Sequence, residues 1–391
     1  MKYFEFTNTV KILSGENAIC NIVHELNYFN AHKPLILSDA GLEKAGTVKK
    51  VLKILEKNNV DTSRLFIDIP TDSSTQTIND IVKLYNGWNA DSIIALGGGS
   101  VIDTAKGVKL VLSQKQTNIF ALEGNEVIGA GEKIPFIVIP TTCGTGSECT
   151  TVAVIKNHET HVKMEFISST LLPDVAVLDP EVIETLPPKL VATTSLDALT
   201  HAIESYSCLQ RNPISSGFAI TAINLITKNL FLAINNPKKV DYKLNLLNAS
   251  TVAGISFSNS MVGIVHAIGH ALGSFGVPHG NAMAILLPAC LKFNLDVMQN
   301  VYAELLLHFK GPEFYSTTIE DERANAFVKE VKQFIEMASN LTGFSLHLKD
   351  YGVNKNDFLN IANTAINDGA SIINPKQFTK EDVVKILEEC F

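Results

Sequence analysis

Strand signals stop halfway along this chain, and nothing else in it constrains the fold as strongly. Up to residue 178 short apolar runs alternate with helical patterns, whereas from Asp179 to Phe391 helical patterns stand almost alone. The runs fall at 34–38 (PLILS), 65–69, 92–96 (SIIAL), 135–140 (PFIVIP), 152–155, 163–167 and 175–178. The near-continuous apolarity of SIIAL and PFIVIP suits strands covered on both faces. Between the runs lie helical periods at 41–59, taken as one helix, and at 75–88, so the series reads as βαβ units on a mainly parallel sheet. The expectation is an α/β domain over 1–180 and an all-α domain over 181–391. A length of 391 residues agrees, because single hydrophobic cores stop growing near roughly 250–300 residues.

Composition excludes several classes of function. Apolar residues make up 46% and charged residues 18%, which is globular rather than disordered. The net charge of −8, without a basic run, would repel a nucleic acid backbone. The start, MKYFEFTNTV, lacks the pattern of a signal peptide, and no run reaches the roughly 18 charge-free apolar residues of a membrane span. The six cysteines form no CxxC pair, so neither a disulfide framework nor a thiolate zinc site is indicated. These features predict a cytoplasmic protein with no nucleic acid or membrane partner.

Two stretches carry chemistry. Directly after SIIAL come Gly97, Gly98, Gly99 and Ser100, and then a helical pattern. A glycine loop opening a helix lets backbone amides approach an anion, and the alternative is a tight turn. A second loop of small residues, 141–148 (TTCGTGSE), also follows an apolar run. Asp39 ends the first apolar run, where an acidic side chain can bind a ribose hydroxyl and repel a 2′-phosphate. It can equally cap the following helix.

The other stretch is a set of imidazoles in apolar surroundings. Asp197 and His201 share a helix face, as do His266 and His270, and His279 follows a glycine-punctuated turn. Asp197 looks to lie near a helix start at Thr194, where a carboxylate would complement the dipole, and a lone core histidine usually bonds a carbonyl. Taken together, three or four imidazoles and a carboxylate are satisfied more simply by one cation, and an N,O set suits Fe²⁺, Zn²⁺ or Co²⁺. Glu204 and His308 read as solvated surface residues.

The motifs GGGSxxDxAK, TTCGTGSE, DALTHAIE and HAIGHALG with PHG resemble those of the iron-containing alcohol dehydrogenases, a group that includes lactaldehyde reductase, 1,3-propanediol dehydrogenase and butanol dehydrogenase types. The resemblance covers nearly the whole chain. It implies a dehydroquinate synthase-like two-domain fold, with NAD(P) and Fe²⁺ in a cleft and Zn²⁺ as a second metal. It maps the metal ligands onto Asp197, His201, His266 and His279, and places His270 by the nicotinamide as a proton relay. Cofactor positions map onto Asp39, Gly97, Gly98, Gly99, Ser100, Thr141, Thr142, Thr145, Ser147 and Lys163, with Asp39 favouring NAD over NADP. A homodimer or larger homo-oligomer acting on a small alcohol, diol or aldehyde is implied as well. Cys149 departs from the family pattern, and its burial would leave the thiol inert. A metal- and NAD-dependent lyase of the dehydroquinate synthase type is the rival enzyme, although the motifs lack clustered Arg and Lys for its anionic substrate. A sensor without turnover is the rival from another class.

Overall fold

A computed structural model describes residues 3–124, 128–160 and 163–391. The chain divides into two compact units, one formed by Asn8–Leu186 and the other by Met1–Thr7 with Pro187–Phe391. Thr7 is tied to the second unit by its amide, which donates to Asn259 Oδ1 at 2.7 Å.

The first unit is a parallel sheet in the order β1 (Lys11–Ser14), β8 (Val175–Leu178), β5 (Phe136–Pro140), β4 (Ser92–Gly97), β2 (Pro34–Leu37) and β3 (Leu65–Phe66). All five pairings are parallel, with Leu37 opposite Ala95 and Gly97 opposite Pro140. Strands β2, β4, β5 and β8 are buried along their whole length, as their unbroken apolar runs require. β1 escaped the sequence reading because it is a largely exposed edge strand with Lys11 and Ser14 at its ends. A separate antiparallel pair, β6 (Val152–Lys156) and β7 (Lys163–Ile167), stands beside the sheet.

The helices of this unit are α1 (Ile22–Tyr28), α2 (Ala40–Ala45), α3 (Thr47–Lys57), α4 (Thr75–Gly87), α5 (Gly99–Ser113) and α6 (Pro180–Ile183). The single helix read over 41–59 is broken at Gly46, which takes φ 82°, a conformation that favours glycine. Ile78 and Ile81 of α4 and Val101, Ala105 and Val108 of α5 pack against Leu35, Ile93 and Val138 of the sheet.

The chain path places a switch point in the sheet. From β2 it moves outward to β3, then returns past β2 to β4 and continues to β5 on the other side. The crevice at the carboxyl ends of β2 and β4 is where open parallel sheets bind ligands.

The second unit is helical: α7 (Pro188–Ser207), α8 (Pro213–Asn235), α9 (Val240–Ser258), α10 (Ile264–Gly273), α11 (His279–Lys310), α12 (Pro312–Thr317), α13 (Arg323–Thr342), α14 (Phe358–Ala365) and α15 (Lys380–Glu389). α8 and α11 are long and apolar enough to cross a membrane. Here their apolar residues face α7, α9, α10 and α13 in the helix bundle.

Candidate metal centre and nucleotide loop

α7 begins at Pro188, not at Thr194, because a proline with fixed φ suits the first turn. Asp197 therefore sits in the third turn and cannot be explained by the helix dipole. It and His201 are buried on one face, and α10 and α11 bring His266, buried, and His279, about one-third exposed, to the same point. One ligand atom from each of the four lies within 4.8 Å of the others. Asp197 Oδ1 is 3.3 Å from His279 Nε2 and 3.8 Å from both His201 Nδ1 and His266 Nε2.

Two glycines permit this convergence. A Cβ on Gly280 would fall 2.5 Å from the Thr193 carbonyl oxygen of α7, and one on Gly269 would overlap Met283 Cε of α11. At Gly280 the neighbour is backbone and cannot give way, so α11 approaches α7 this closely because the side chain is absent.

The centre fits a cation. His266 Nδ1 lies 2.5 Å from Glu204 Oε2. A carboxylate oxygen accepts, so Nδ1 donates, and Nε2 is the ring nitrogen left for a cation. That atom and Asp197 Oδ1 are buried without hydrogen-bond partners among the described residues. Two acceptors facing each other in a buried site are stable only with a positive charge between them. Burial alone would raise the Asp197 carboxyl, but the imidazoles of His201 and His279 hold it well below the usual carboxylate range. Burial would lower His266, yet the neighbouring Asp197 and Glu204 carboxylates outweigh that effect and push it up to about 9. His279 is lowered, by burial first.

Glu204 corrects the sequence reading, since it is buried rather than solvated. Its place in DALTHAIE, one turn beyond His201, was the available signal. His308 is half-buried in the last turn of α11, remote in sequence from every ligand. His270 lies one turn beyond His266, stacked on His279 with ring centroids 5.7 Å apart. Its Nδ1 meets Asp368 Oδ2 at 2.9 Å, a partner that no motif announced.

In the α/β unit, Gly97–Ser100 join β4 to α5 at the switch point. Each glycine has a packing reason, because added Cβ atoms would lie 2.5 Å from Val101, 3.1 Å from Thr142 and 2.8 Å from Thr145 at Gly97, Gly98 and Gly99 respectively. The two small-residue loops are thus pressed together, and the Thr141 amide donates to the Gly97 carbonyl at 3.1 Å. Asp103 of GGGSxxDxAK clips the second loop in place, and the motif's other polar residues bond elsewhere in the unit. Asp103 accepts from Ser147 Oγ at 2.6 Å and from the Val154 amide at 3.0 Å. Lys106 Nζ donates to the Thr150 carbonyl and Oγ1 and to the Val152 carbonyl. Ser100 Oγ donates to the Thr71 carbonyl. Of the cofactor hydroxyls expected from sequence, those of Ser100 and Ser147 are therefore committed within the protein.

Asp39 stands at the end of β2, beside the glycine loop, and its Oδ1 caps α2 by accepting from the Leu42 amide at 2.9 Å. Ser74 caps α4 in the same way. α5 differs, having Gly98 at its cap position and no side chain to cover its first amides. Lys163 opens β7, 3.6 Å from Asp72. Cys149 is buried and its thiol is raised well above the ordinary value by that burial, so it is inert.

Residues 9–180 match the family described as iron-containing alcohol dehydrogenase, and residues 191–391 match the C-terminal part of the Fe-containing alcohol dehydrogenase family. Alcohol dehydrogenase 4 of Schizosaccharomyces pombe is 33% identical over 96% of this chain and 86% of its own length. The NADPH-dependent butanol dehydrogenase of Clostridium saccharobutylicum is 32% identical over 90% of each chain. Among solved structures, an alcohol dehydrogenase from Oenococcus oeni superposes with a TM-score of 0.92 at 33% identity, covering all of both chains.

Proposed function

The chain belongs to the iron-containing alcohol dehydrogenase family, and from that premise we propose that it moves a hydride reversibly between a small alcohol or diol and a nicotinamide cofactor. NAD is the preferred cofactor. Fe²⁺ is the resident metal, with Zn²⁺ able to take the same ligands. The observation that carries this reading is the pair of buried acceptors, Asp197 Oδ1 and His266 Nε2, facing each other without partners.

Asp197, His201, His266 and His279 hold the cation, which when bound supplies Lewis-acid polarisation of the substrate oxygen. The nicotinamide supplies the hydride chemistry. The amides that open α5 receive the diphosphate at a helix N-terminus with no side chain in the way. Thr141, Thr142, Thr145 and Lys163 line that site, while Ser147 keeps its loop in place through Asp103. Asp39 accepts from the ribose and disfavours a 2′-phosphate. One relative is named for NADPH, so the preference turns on such individual residues. His270 has Nδ1 committed to Asp368 and handles the substrate proton at Nε2. The protein works in the cytoplasm, in keeping with six free cysteines, and as a homodimer or larger homo-oligomer, which light scattering would measure.

The test is an anaerobic panel of short alcohols, diols and their aldehydes with NAD(H) and NADP(H), on iron-loaded protein. Metal-dependent NADH formation from at least one primary alcohol or diol is expected. Failure of every substrate with both cofactors, on protein containing one metal per subunit, would refute the assignment.

A further inference from the structure

α10 presents His266 and has no side-chain cap of its own, because its cap position is Gly263. Its first amides are instead accepted by distant residues. The Ile264 amide donates to Asn374 Oδ1 at 3.2 Å and the Val265 amide to Glu204 Oε1 at 2.7 Å. Gly263 makes room for both, since a Cβ there would lie 2.9 Å from Asn374 Oδ1 and 3.1 Å from Glu204 Oε1. Asn374 is fixed in turn by a reciprocal pair of bonds with Asn294, at 3.1 and 3.0 Å. Glu204 is therefore held rigidly, with one oxygen on the helix end and the other on His266 Nδ1.

We infer that Glu204 is the positioning residue of the metal centre: by accepting from Nδ1 it keeps His266 in the tautomer whose Nε2 is free to ligate, and so governs how tightly the metal is retained. This rests on the metal reading given above. A buried imidazole 3.8 Å from the Asp197 carboxylate would otherwise gain by turning a proton toward it. Only a full acceptor at Nδ1 opposes that outcome. Carboxylates behind ligating histidines commonly act in this way, and their loss weakens metal affinity by about 10- to 100-fold. The alternative is that Glu204 serves only as a helix cap.

Glu204→Gln separates the two roles, because the amide oxygen still caps Val265 while the amide nitrogen now donates to Nδ1. His266 must then carry its proton on Nε2, facing Asp197. We expect the purified variant to bind Zn²⁺ and Co²⁺ at least about 10-fold more weakly than wild type in chelator competition. Its metal-free melting temperature should stay near that of wild type, since the bond to the Val265 amide is kept. In ¹⁵N-histidine spectra of Zn²⁺-loaded wild-type protein, His266 should show a proton on Nδ1, a result that does not depend on the variant folding. Unchanged metal affinity would assign Glu204 to capping alone, since the variant keeps that bond, and a bare Nδ1 in the wild type would overturn the inference as well. Wild-type protein that binds neither metal would instead overturn the metal reading itself.

Discussion

The metal centre and the glycine loop are built on opposite principles. Around Asp197 the specificity lies in side chains: four ligand atoms converge, Asp197 Oδ1 and His266 Nε2 have no hydrogen-bond partner among the described residues, and Glu204 fixes a tautomer behind them. Around Gly97 it lies in the absence of side chains. There the hydroxyls that look most like ligands, on Ser100 and Ser147, are spent on the fold, and the start of α5 presents uncapped backbone. The contrast means that substitutions should act by chemical identity in one region and by volume in the other.

The largest effects should come from the ligands. Asp197→Ala, His266→Ala and His279→Ala should each yield metal-poor protein with activity down by about 1000-fold, as expected when several kcal/mol of Lewis-acid stabilisation is lost. His270→Ala should keep normal metal content and lose kcat. Elemental analysis of the purified variants checks this, and a metal-free His270→Ala beside a loaded His266→Ala would reverse the assignment.

Volume should matter next. Gly97→Ala places a methyl 2.5 Å from Val101 Cβ, so the loop must shift, and an error of about 1 Å can lower kcat/KM by on the order of 100-fold. The loss should appear against NAD with metal content unchanged. Gly280→Ala, crowding the Thr193 carbonyl at 2.5 Å, should do the reverse, weakening metal binding while leaving NAD affinity intact. Isothermal titration of each ligand separates the two.

This comparison also explains what could be read in advance. The buried strands were legible because fully covered parallel strands are written as unbroken apolar runs, and the clustering of Asp197, His201, His266 and His279 because imidazoles on apolar faces demand a partner. β1 was not legible, since an edge strand mixes Lys11 and Ser14 with Ile12 and Leu13. Nor were Glu204 and Asp368, whose roles depend on which helix end or ring lies opposite them in space. The break at Gly46 follows from one backbone angle that periodicity does not encode.

Asp39 lies between the two principles, for it is both a cap and a charge. Asp39→Asn retains a good cap residue and removes the charge, so stability should hold while the preference for NAD over NADP narrows by roughly tenfold. That is less than the bare Coulomb figure of about 4 kcal/mol at 4 Å, because Asp39 is half-exposed. Asp39→Ala should add a loss of about 1 kcal/mol in stability. Equal kcat/KM for both cofactors in the wild type would reduce Asp39 to its capping role.

The smallest effect, Ser147→Ala, tests the contrast most directly. If its hydroxyl serves the fold, the variant leaves one oxygen of Asp103 without its 2.6 Å donor, in a site where burial already raises that carboxyl. An acceptor stranded in this way costs about 1–3 kcal/mol, visible as a melting temperature lower by a few degrees. The Thr141 amide still bonds the Gly97 carbonyl and Lys106 still holds Thr150 just beyond the loop, so its backbone stays in place and the KM for NAD should remain within about twofold of wild type. If the hydroxyl instead touches the cofactor, the signs exchange: KM rises and the melting temperature of the cofactor-free protein holds. Thermal melts without NAD, paired with initial rates across NAD concentrations, therefore decide whether the Ser147 hydroxyl serves the fold or the cofactor.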